Sequence, residues 1–285
     1  MIDVIVIGKG PAGITASIYI KRAGLNPVVI GDDIGMLEKA DQIDNYYGFI
    51  EGISGKELAK NGVMQAQRLG VEIIADEVIK IEYMRNFKIL TKKGSYEAKA
   101  VIMASGANKI APNIKGIKEY EGKGISYCAV CDGFFYKGKD VAVLGNGDYA
   151  VHEAMELLPI ANSVTLVTNG KDIPEYREEN LKTNKKEIRE VRGEQKVQEV
   201  SFVDNTKLEV AGVFVAEGSA SSIDFARKLG VITKENKIVV NEKMETNIKG
   251  LYAAGDCTGG LMQIAKAVYE GAVAGTEAVK FVRGN

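Results

Sequence analysis

The residues best suited to chemistry are two cysteines with two residues between them, Cys128 and Cys131, followed directly by Asp132. This spacing allows two thiols to form and break a disulfide across a tight turn. An adjacent carboxyl group can take or give the proton that thiol–disulfide exchange requires. The motif therefore indicates a redox-active dithiol with Asp132 as its acid/base, although Asp132 could equally be a turn residue before Gly133.

Two other interpretations of the cysteine pair stay open. A structural zinc site needs four ligands, so Cys128 and Cys131 would have to converge with Cys257 and His152, the remaining cysteine and the only histidine. The pair could also consist of inert buried thiols. Three cysteines are too few for a disulfide framework and suit a reducing compartment, where such a pair is more often catalytic than structural. The sequence thus favours the redox interpretation, without a metal.

A glycine-rich loop near the start of the chain predicts a dinucleotide site. An apolar strand over residues 3–7 runs into Gly8-Lys9-Gly10-Pro11-Ala12-Gly13, which opens a helix. The first glycine permits the turn, the second lets a pyrophosphate approach the backbone, and the third lets helix and strand pack closely. Asp32 follows the next predicted strand, about 20 residues farther on, where an acidic residue often receives a ribose hydroxyl.

The same strand–loop–helix pattern returns in the second half of the chain. A strand over 140–144, the loop Gly145-Asn146-Gly147-Asp148-Tyr149-Ala150 and a helix over 151–158 are followed by a strand over 164–167. The repeat predicts an α/β fold with two Rossmann-like, three-layer (ββα) domains of nucleotide-binding type. The other predicted elements are helices over 14–23, 55–69 and 263–282, and strands over 28–30, 72–74, 77–82, 87–91 and 98–104.

Composition excludes some partners. The 285 residues carry a formal net charge of -1, whereas a protein that binds nucleic acid or an anionic membrane surface should show a basic excess. The apolar segment Met1–Ile7 is short and contains Asp3, so it is predicted to be a buried strand and not a signal peptide. We therefore expect a cytoplasmic protein.

Five short segments, spread over nearly the whole chain, carry a family resemblance. They are Gly8-Lys9-Gly10-Pro11-Ala12-Gly13, Asp44-Asn45-Tyr46-Tyr47-Gly48, Ala104-Ser105-Gly106-Ala107, Cys128-Ala129-Val130-Cys131-Asp132-Gly133, and Ala254-Gly255-Asp256 with Met262-Gln263-Ile264-Ala265. In this order they resemble the motifs of the low-molecular-weight thioredoxin reductases, which are flavoproteins. Tyr47 stands where that family has proline.

The resemblance implies FAD bound by a discontinuous domain, residues 1–112 and 245–285. The inserted domain, 113–244, would carry the dithiol and resemble an NADPH-binding domain. The residues implied to bind FAD are Gly8, Gly10, Pro11, Ala12, Gly13, Asp32, Asn45, Val78, Ala104, Gly106, Gly255, Asp256, Gln263, Ile264 and Ala265. Cys131 would be the thiol nearer the flavin, Cys128 would attack the disulfide of thioredoxin, and Asp132 would be the acid/base. Family members form homodimers, so a homodimer is expected.

The second half of the chain departs from that family at the nicotinamide site. Members that use NADPH carry a His-Arg-Arg-x-x-x-Arg segment whose guanidinium groups hold the 2′-phosphate. Here residues 167–174 read Val-Thr-Asn-Gly-Lys-Asp-Ile-Pro, and the first arginine after this strand is Arg177. No acidic residue ends the strand to receive the 2′-hydroxyl of NADH. The later Gly-x-x-Pro segment is also replaced, by residues 217–222. This pattern resembles the ferredoxin-dependent flavin thioredoxin reductases of clostridia, in which ferredoxin reduces the flavin directly.

The sequence therefore predicts a reductase that passes electrons from ferredoxin to FAD, then to the Cys128–Cys131 disulfide and then to thioredoxin. The dithiol must face the flavin and an outside protein in turn, so we expect rotation about crossings near Asn113 and Met244. One alternative is an NAD(P)H-dependent thioredoxin reductase with atypical cofactor contacts. Another is a redox-responsive binding protein that holds FAD without turnover. No lysine-rich run marks a docking surface for ferredoxin.

Overall fold

The chain folds into two compact α/β units, one inserted into the other. The computed structural model describes residues 1–106, 112–173, 181–218 and 220–284. The first unit comprises Met1–Asn108 and Ser221–Asn285, and the second comprises Lys109–Ala220. The predicted fold class, two Rossmann-like domains with the second inserted into the first, is confirmed.

The second crossing between the units lies earlier in the chain than the sequence predicts. We expected the inserted domain to end at 244, but residues 221–244 pack with the first unit. The Ser222 N–H donates to Ser105 Oγ at 2.8 Å, and Met244 is buried in the hydrophobic core of that unit. Met244 is therefore a core residue and not a crossing. The predicted boundary at 244 came from the family resemblance, and motif matches carry no information about these contacts.

The elements of the described residues alternate between strand and helix along much of the chain. The strands are β1 (Ile2–Ile7), β2 (Pro27–Ile30), β3 (Glu72–Ile74), β4 (Val78–Tyr83), β5 (Phe87–Thr91), β6 (Ser95–Met103), β7 (Ile125–Ser126), β8 (Asp140–Leu144), β9 (Ser163–Val167), β10 (Lys182–Asn184), β11 (Ile188–Arg192), β12 (Glu199–Phe202), β13 (Lys207–Glu209), β14 (Gly212–Val215), β15 (Thr233–Lys234), β16 (Lys237–Ile238) and β17 (Leu251–Ala253). The helices are α1 (Pro11–Arg22), α2 (Gly55–Arg68), α3 (Ala129–Asp132), α4 (Asp148–Leu157), α5 (Ser222–Lys228) and α6 (Ile264–Arg283).

The sheet of the first unit brings several strand ends to one edge. Its order is β3-β2-β1-β6-β5-β4, and β17 also pairs with β6. The first half of β6 pairs antiparallel with β5, and its second half pairs parallel with β17. In the parallel part, Ile7 lies opposite Ile30 and Met103. The carboxyl ends of β1, β2, β6 and β17 therefore lie side by side, which is where ligands bind in open α/β sheets.

Two helices of the first unit pack closely against one another behind that edge. A Cβ atom on Gly271 of α6 would overlap the carbonyl oxygen of Ala12 in α1, and one on Gly275 would lie 2.7 Å from the Ala16 oxygen. The absence of side chains at these two positions lets α6 cross α1 at backbone contact. No helix of the described residues is long and apolar enough to cross a membrane.

The second unit repeats the arrangement with a smaller sheet. Its parallel strands have the order β10-β9-β8-β14-β7, and β11, β12 and β13 form an antiparallel sheet beside them. The predicted strands over 87–91 and 140–144 are confirmed residue for residue. The strands that the sequence did not predict, β7 and β10–β16, have at most five residues each, and several carry charged side chains. Strands this short give little periodicity to detect, whether polar or, like β14, apolar.

The backbone contact between α1 and α6 predicts that Gly271→Ala destabilises the protein. The added methyl group must push α6 away from Ala12, so we expect a loss of about 1–3 kcal/mol, typical of overpacking, read as a lower melting temperature by circular dichroism. Gly62→Ala is the matched control. Gly62 lies in α2, and its Cβ would lie 3.5 Å from the Ile14 side chain of α1, an ordinary contact, so stability should stay level or rise. Equal melting temperatures for both variants would contradict the close helix contact.

Candidate active site

Cys128 and Cys131 form a disulfide in the second unit, with their Cα atoms 5.3 Å apart. Cys128 is the N-cap residue of α3, and the backbone N–H of Cys131 donates to Cys128 Sγ at 3.2 Å. A backbone donor at this position stabilises a thiolate after reduction, which is the form that attacks disulfides. The predicted redox pair is thus built at the start of a helical turn.

The two sulfurs differ in exposure. Cys128 is 3% exposed, whereas Cys131 is an exposed residue. The resemblance implies that Cys128 attacks the protein substrate. Since Cys131 is the accessible cysteine in this conformation, attack by Cys128 requires that its surroundings first open.

Asp132 is held beside the dithiol through a serine that the sequence did not indicate. Ser126 Oγ donates to Asp132 Oδ2 at 2.6 Å and accepts from the N–H of Cys128 at 3.1 Å. One hydroxyl group thus links the carboxylate to the backbone of the first cysteine. Burial, and then the negative charge of Asp132, raise the pKa of the neighbouring Tyr136. The role of Asp132 as acid/base stays a prediction.

A buried carboxylate on α4 also supports the dithiol. Glu153 is 1% exposed, and its Oε2 accepts from the N–H of Ala129, the first residue of α3, at 3.0 Å. Helix-starting N–H groups lack partners within their own helix. Glu153 therefore anchors the turn that carries both cysteines. The signal in the sequence was a glutamate on the apolar face of a predicted helix, among Val151, Ala154 and Leu157.

The zinc interpretation does not fit this geometry. Cys128 and Cys131 are joined to each other, so they offer no thiolates to a metal. Within the described residues, no group of three or more histidine, cysteine, aspartate or glutamate side chains is arranged to hold a metal ion. Cys257 is buried, its Sγ lies 3.4 Å from the Ala254 carbonyl oxygen, and burial raises its pKa to about 12. Cys257 is a packed residue and not a third reactive thiol.

The first glycine loop has the shape predicted for it. Gly8 has a φ of 108°, and a Cβ there would overlap the carbonyl oxygen of Ala104 at the end of β6. A Cβ on Gly13 would overlap the Gly8 carbonyl oxygen. Gly10, by contrast, has no atom within 4 Å of the position a Cβ would take. Two of the glycines thus serve close packing, and the third leaves open space above the backbone.

Contacts bring together two further pairs of residues implied to bind FAD. A Cβ on Gly255, which follows β17, would lie 3.1 Å from the Cβ of Ala12. Asn45 Nδ2 donates to Gln263 Oε1 at 3.0 Å, which joins two distant predicted segments. Of the other residues implied to bind FAD, Pro11 begins α1, Gly106 follows β6, Asp256 follows β17, and Ile264 and Ala265 lie in the first turn of α6.

Asp32 lies beside the glycine loop, whereas Val78 lies on a distant strand of the same sheet. Asp32 is exposed after β2, and its backbone oxygen accepts from Lys9 Nζ at 2.6 Å. Val78 is buried at the start of β4, which is the third strand from β1 on the β6 side of the sheet. Ala107, the last residue of the predicted crossing motif, lies outside the described residues, as do Arg177 and Ser219.

This edge fits the diphosphate of FAD. The N-cap of α1 is Gly10, no side chain caps the helix, and no acidic residue occupies its first turn. The first N–H groups of a helix and its positive dipole end attract anions, and the space above Gly10 admits one. The residues that would hold FAD here are those of the Gly8–Gly13 loop, with Gly255 and Asp256 beside them.

The second glycine loop has the same backbone but different chemistry. Gly147 is the N-cap of α4, and Asp148 lies in the first turn of that helix. A Cβ on Gly147 would lie 3.6 Å from the Gly218 carbonyl oxygen, so an oxygen atom already faces the loop. A carboxylate at this helix end repels a phosphate. The second loop is therefore less suited to a dinucleotide than the first.

The loop after β9 makes contacts across the end of this second sheet. Asn146 Nδ2, in the glycine loop, donates to the Asp172 carbonyl oxygen at 3.1 Å. Lys171 Nζ lies 3.4 Å from Glu217 Oε1, which follows β14. The segment in which NADPH-using relatives carry arginines is thus hydrogen-bonded to the neighbouring loops of its own domain.

A dinucleotide site on one Rossmann-like unit and a redox disulfide on a second, inserted unit define a flavoprotein disulfide oxidoreductase. Comparison with known proteins agrees. Residues 2–271 match the family model described as pyridine nucleotide-disulphide oxidoreductase. The thioredoxin reductase of Bacillus subtilis (strain 168) is 37% identical over 302 residues, with 98% of this chain and 94% of that protein covered.

Two solved structures are similar over almost the whole chain. The atypical thioredoxin reductase TRi from Desulfovibrio vulgaris Hildenborough is 38% identical, with a TM-score of 0.92 and coverage of 100% of this chain and 99% of that one. A ferredoxin-flavin thioredoxin reductase from Clostridium acetobutylicum is 37% identical, with a TM-score of 0.71 and coverage of 99% and 98%. The chain belongs to the thioredoxin reductase branch of the pyridine nucleotide-disulphide oxidoreductases, which are FAD-binding flavoproteins.

Serine at either active-site cysteine should abolish the reduction of disulfide substrates. Cys128→Ser and Cys131→Ser each prevent the dithiol–disulfide cycle, so we expect a loss of roughly 10³-fold or more. Turnover of a disulfide substrate under reducing conditions measures it. Cys257→Ser is the matched control and should keep near-normal turnover, because that thiol is buried and protonated. Substantial turnover in Cys128→Ser would contradict the proposed role of the pair.

The anchoring role of Glu153 predicts different effects for two substitutions. Glu153→Ala leaves the Ala129 N–H buried without this acceptor, which costs about 1–3 kcal/mol. We expect a lower melting temperature and slower turnover. Glu153→Gln keeps an oxygen acceptor and should recover most of both. If the two variants behave alike in melting and turnover experiments, the hydrogen bond to Ala129 is not what matters.

Proposed function

We propose that this protein reduces thioredoxin through FAD and the Cys128–Cys131 disulfide, with reduced ferredoxin as its electron donor in place of NADPH. The choice of donor rests on the altered nicotinamide site, above all on the missing arginines, with the second glycine loop in support. Asp148 lies at the helix end where a nicotinamide dinucleotide would place its phosphates, and Asn146 is hydrogen-bonded to Asp172. The positions that bind the 2′-phosphate in NADPH-using relatives hold no arginine in residues 167–174.

A protein electron acceptor is supported by the surface around the dithiol. Val130 is 51% exposed, Phe134 74% and Phe135 69%, and all three lie within four residues of Cys131. Exposed apolar side chains in one patch are typical of a surface that binds another protein. Thioredoxin is the acceptor that the family membership favours.

The chemistry of the dithiol balances for this reaction. Two electrons and two protons convert the Cys128–Cys131 disulfide into two thiols. One thiolate then attacks a sulfur of the oxidised thioredoxin, which breaks its disulfide and forms a mixed disulfide. The second thiol attacks that bond, releases reduced thioredoxin and restores Cys128–Cys131. Asp132 takes the proton of the attacking thiol and returns it to the leaving thiolate in this scheme.

Ferredoxin donates one electron at a time, and a disulfide takes two. Bound FAD supplies a carrier that accepts single electrons and delivers a pair. The residues of the chain contribute the FAD site at the edge of the first sheet and the dithiol on the inserted unit. The homodimer and the cytoplasmic location stay predictions.

Anaerobic titration of the flavin absorbance identifies the donor. Reduced ferredoxin should bleach the flavin rapidly. NADPH should do so more slowly by roughly a hundredfold or more, since each missing charge-assisted contact to its 2′-phosphate is worth about 1.5–3 kcal/mol. NADH should also be slow, because no acidic residue ends the strand to receive its 2′-hydroxyl. Rapid reduction by NADPH and none by ferredoxin would overturn the proposal in favour of an NAD(P)H-dependent reductase.

The variant Cys128→Ser separates the entry of electrons from their exit. Its flavin should still be reduced by ferredoxin, while thioredoxin reduction is lost. Should thioredoxin reduction be undetectable even in the unmodified protein supplied with either donor, a binding protein that holds FAD without turnover becomes the better description.

A further inference from the structure

A buried ion pair lies directly behind the segment that we assign to FAD. Lys266 and Glu270 stand one turn apart on α6, with Lys266 Nζ 3.0 Å from Glu270 Oε2 and side chains only 16% and 11% exposed. We propose that this pair is a positioning device that fixes the backbone of Gly255, and through it Asp256, for contact with bound FAD. The proposal rests on the assignment of Asp256 to the FAD site and is independent of the electron donor.

The pair holds both polar groups of one peptide residue. Glu270 Oε2 accepts from the N–H of Gly255 at 2.8 Å, and Lys266 Nζ donates to the carbonyl oxygen of Gly255 at 2.9 Å. The hydroxyl of Thr258 closes the network, 3.0 Å from Glu270 Oε2 and 2.9 Å from Lys266 Nζ. Two charged side chains of α6 thus hydrogen-bond to both the N–H and the carbonyl group of Gly255.

Gly255 needs such support because of its conformation. Its φ of 88° and ψ of -154° belong to a region that only glycine enters readily. A side chain would also be crowded there, since a Cβ would lie 3.1 Å from the Cβ of Ala12 in the first turn of α1. Sparsely populated backbone conformations persist only when their surroundings fix them. The network therefore sets the direction in which the backbone runs from the end of β17 to Asp256.

Stability alone does not account for this pair. A lysine in the first turn of a helix is disfavoured by the helix dipole, and α6 begins at Ile264. A buried ion pair is also weak evidence of stabilisation, because its desolvation offsets its attraction. What the pair supplies is a fixed geometry at the edge where α1, β17 and α6 meet.

The test compares FAD binding and flavin potential in variants of the pair. Lys266→Met and Glu270→Gln should each raise the FAD dissociation constant by roughly ten- to a hundredfold, because each leaves its partner without the opposite charge. Both should shift the flavin reduction potential. Lys266→Arg keeps the cation and should recover part of each property. FAD binding is measured by flavin fluorescence on deflavinated protein, and the potential by titration with a small-molecule reductant.

Lys280→Met is the matched control on the same helix. Lys280 pairs with Glu277 at 2.7 Å but is exposed, and this pair lies near the far end of α6. It should leave FAD affinity and potential unchanged. If Lys266→Met lowers only the melting temperature, and the folded variant binds FAD with normal affinity and potential, the pair is merely structural and the proposal is wrong. Neither measurement uses ferredoxin or NADPH, so the outcome does not depend on the proposed donor.

Discussion

Contact of backbone with backbone at the carboxyl edge of the first sheet is the constraint on which the site depends. Gly8 abuts the carbonyl of Ala104, Gly13 abuts Gly8, and Gly271 abuts Ala12. Side chains at these positions would separate β1, β6, α1 and α6. Because these contacts hold α1 and α6 close to each other and to the strands, the uncapped start of α1 and the first turn of α6 face the same edge. Their N–H groups are available there to an anionic cofactor.

The two units show how one fold can serve different chemistry. Both begin with a strand, a glycine-containing loop and a helix, and Gly145 of the second loop packs as tightly as Gly8 does in the first. They differ in what stands at the helix end: Gly10 and Pro11 in one, Gly147 and Asp148 in the other. The glycines preserve strand–helix packing whether or not a ligand binds, so function has to be read from the charges around them.

Much of the fold and part of the site could be predicted from the sequence. The strands β1, β5 and β8 are buried or alternating runs, and the predicted dithiol forms a disulfide. The residues that support the site, such as Glu153 and Glu270, could not be predicted, because they contact residues far away in the chain and belong to no recognised motif. Glu153 meets Ala129 across 24 positions, and Glu270 meets Gly255 across 15. The boundary at 220 was missed for a similar reason, since only folded contacts attach residues 221–244 to the first unit.

The burial of Cys257 confines the thiol chemistry of the whole chain to one place. Because Cys257 is 2% exposed and the pKa of its thiol is raised to about 12, peroxides and electrophiles meet reactive thiolates only at Cys128 and Cys131. Mild oxidation of those two residues yields the disulfide that is already a working state of the enzyme. The protein therefore has no vulnerable cysteine apart from those that its own electron flow can restore.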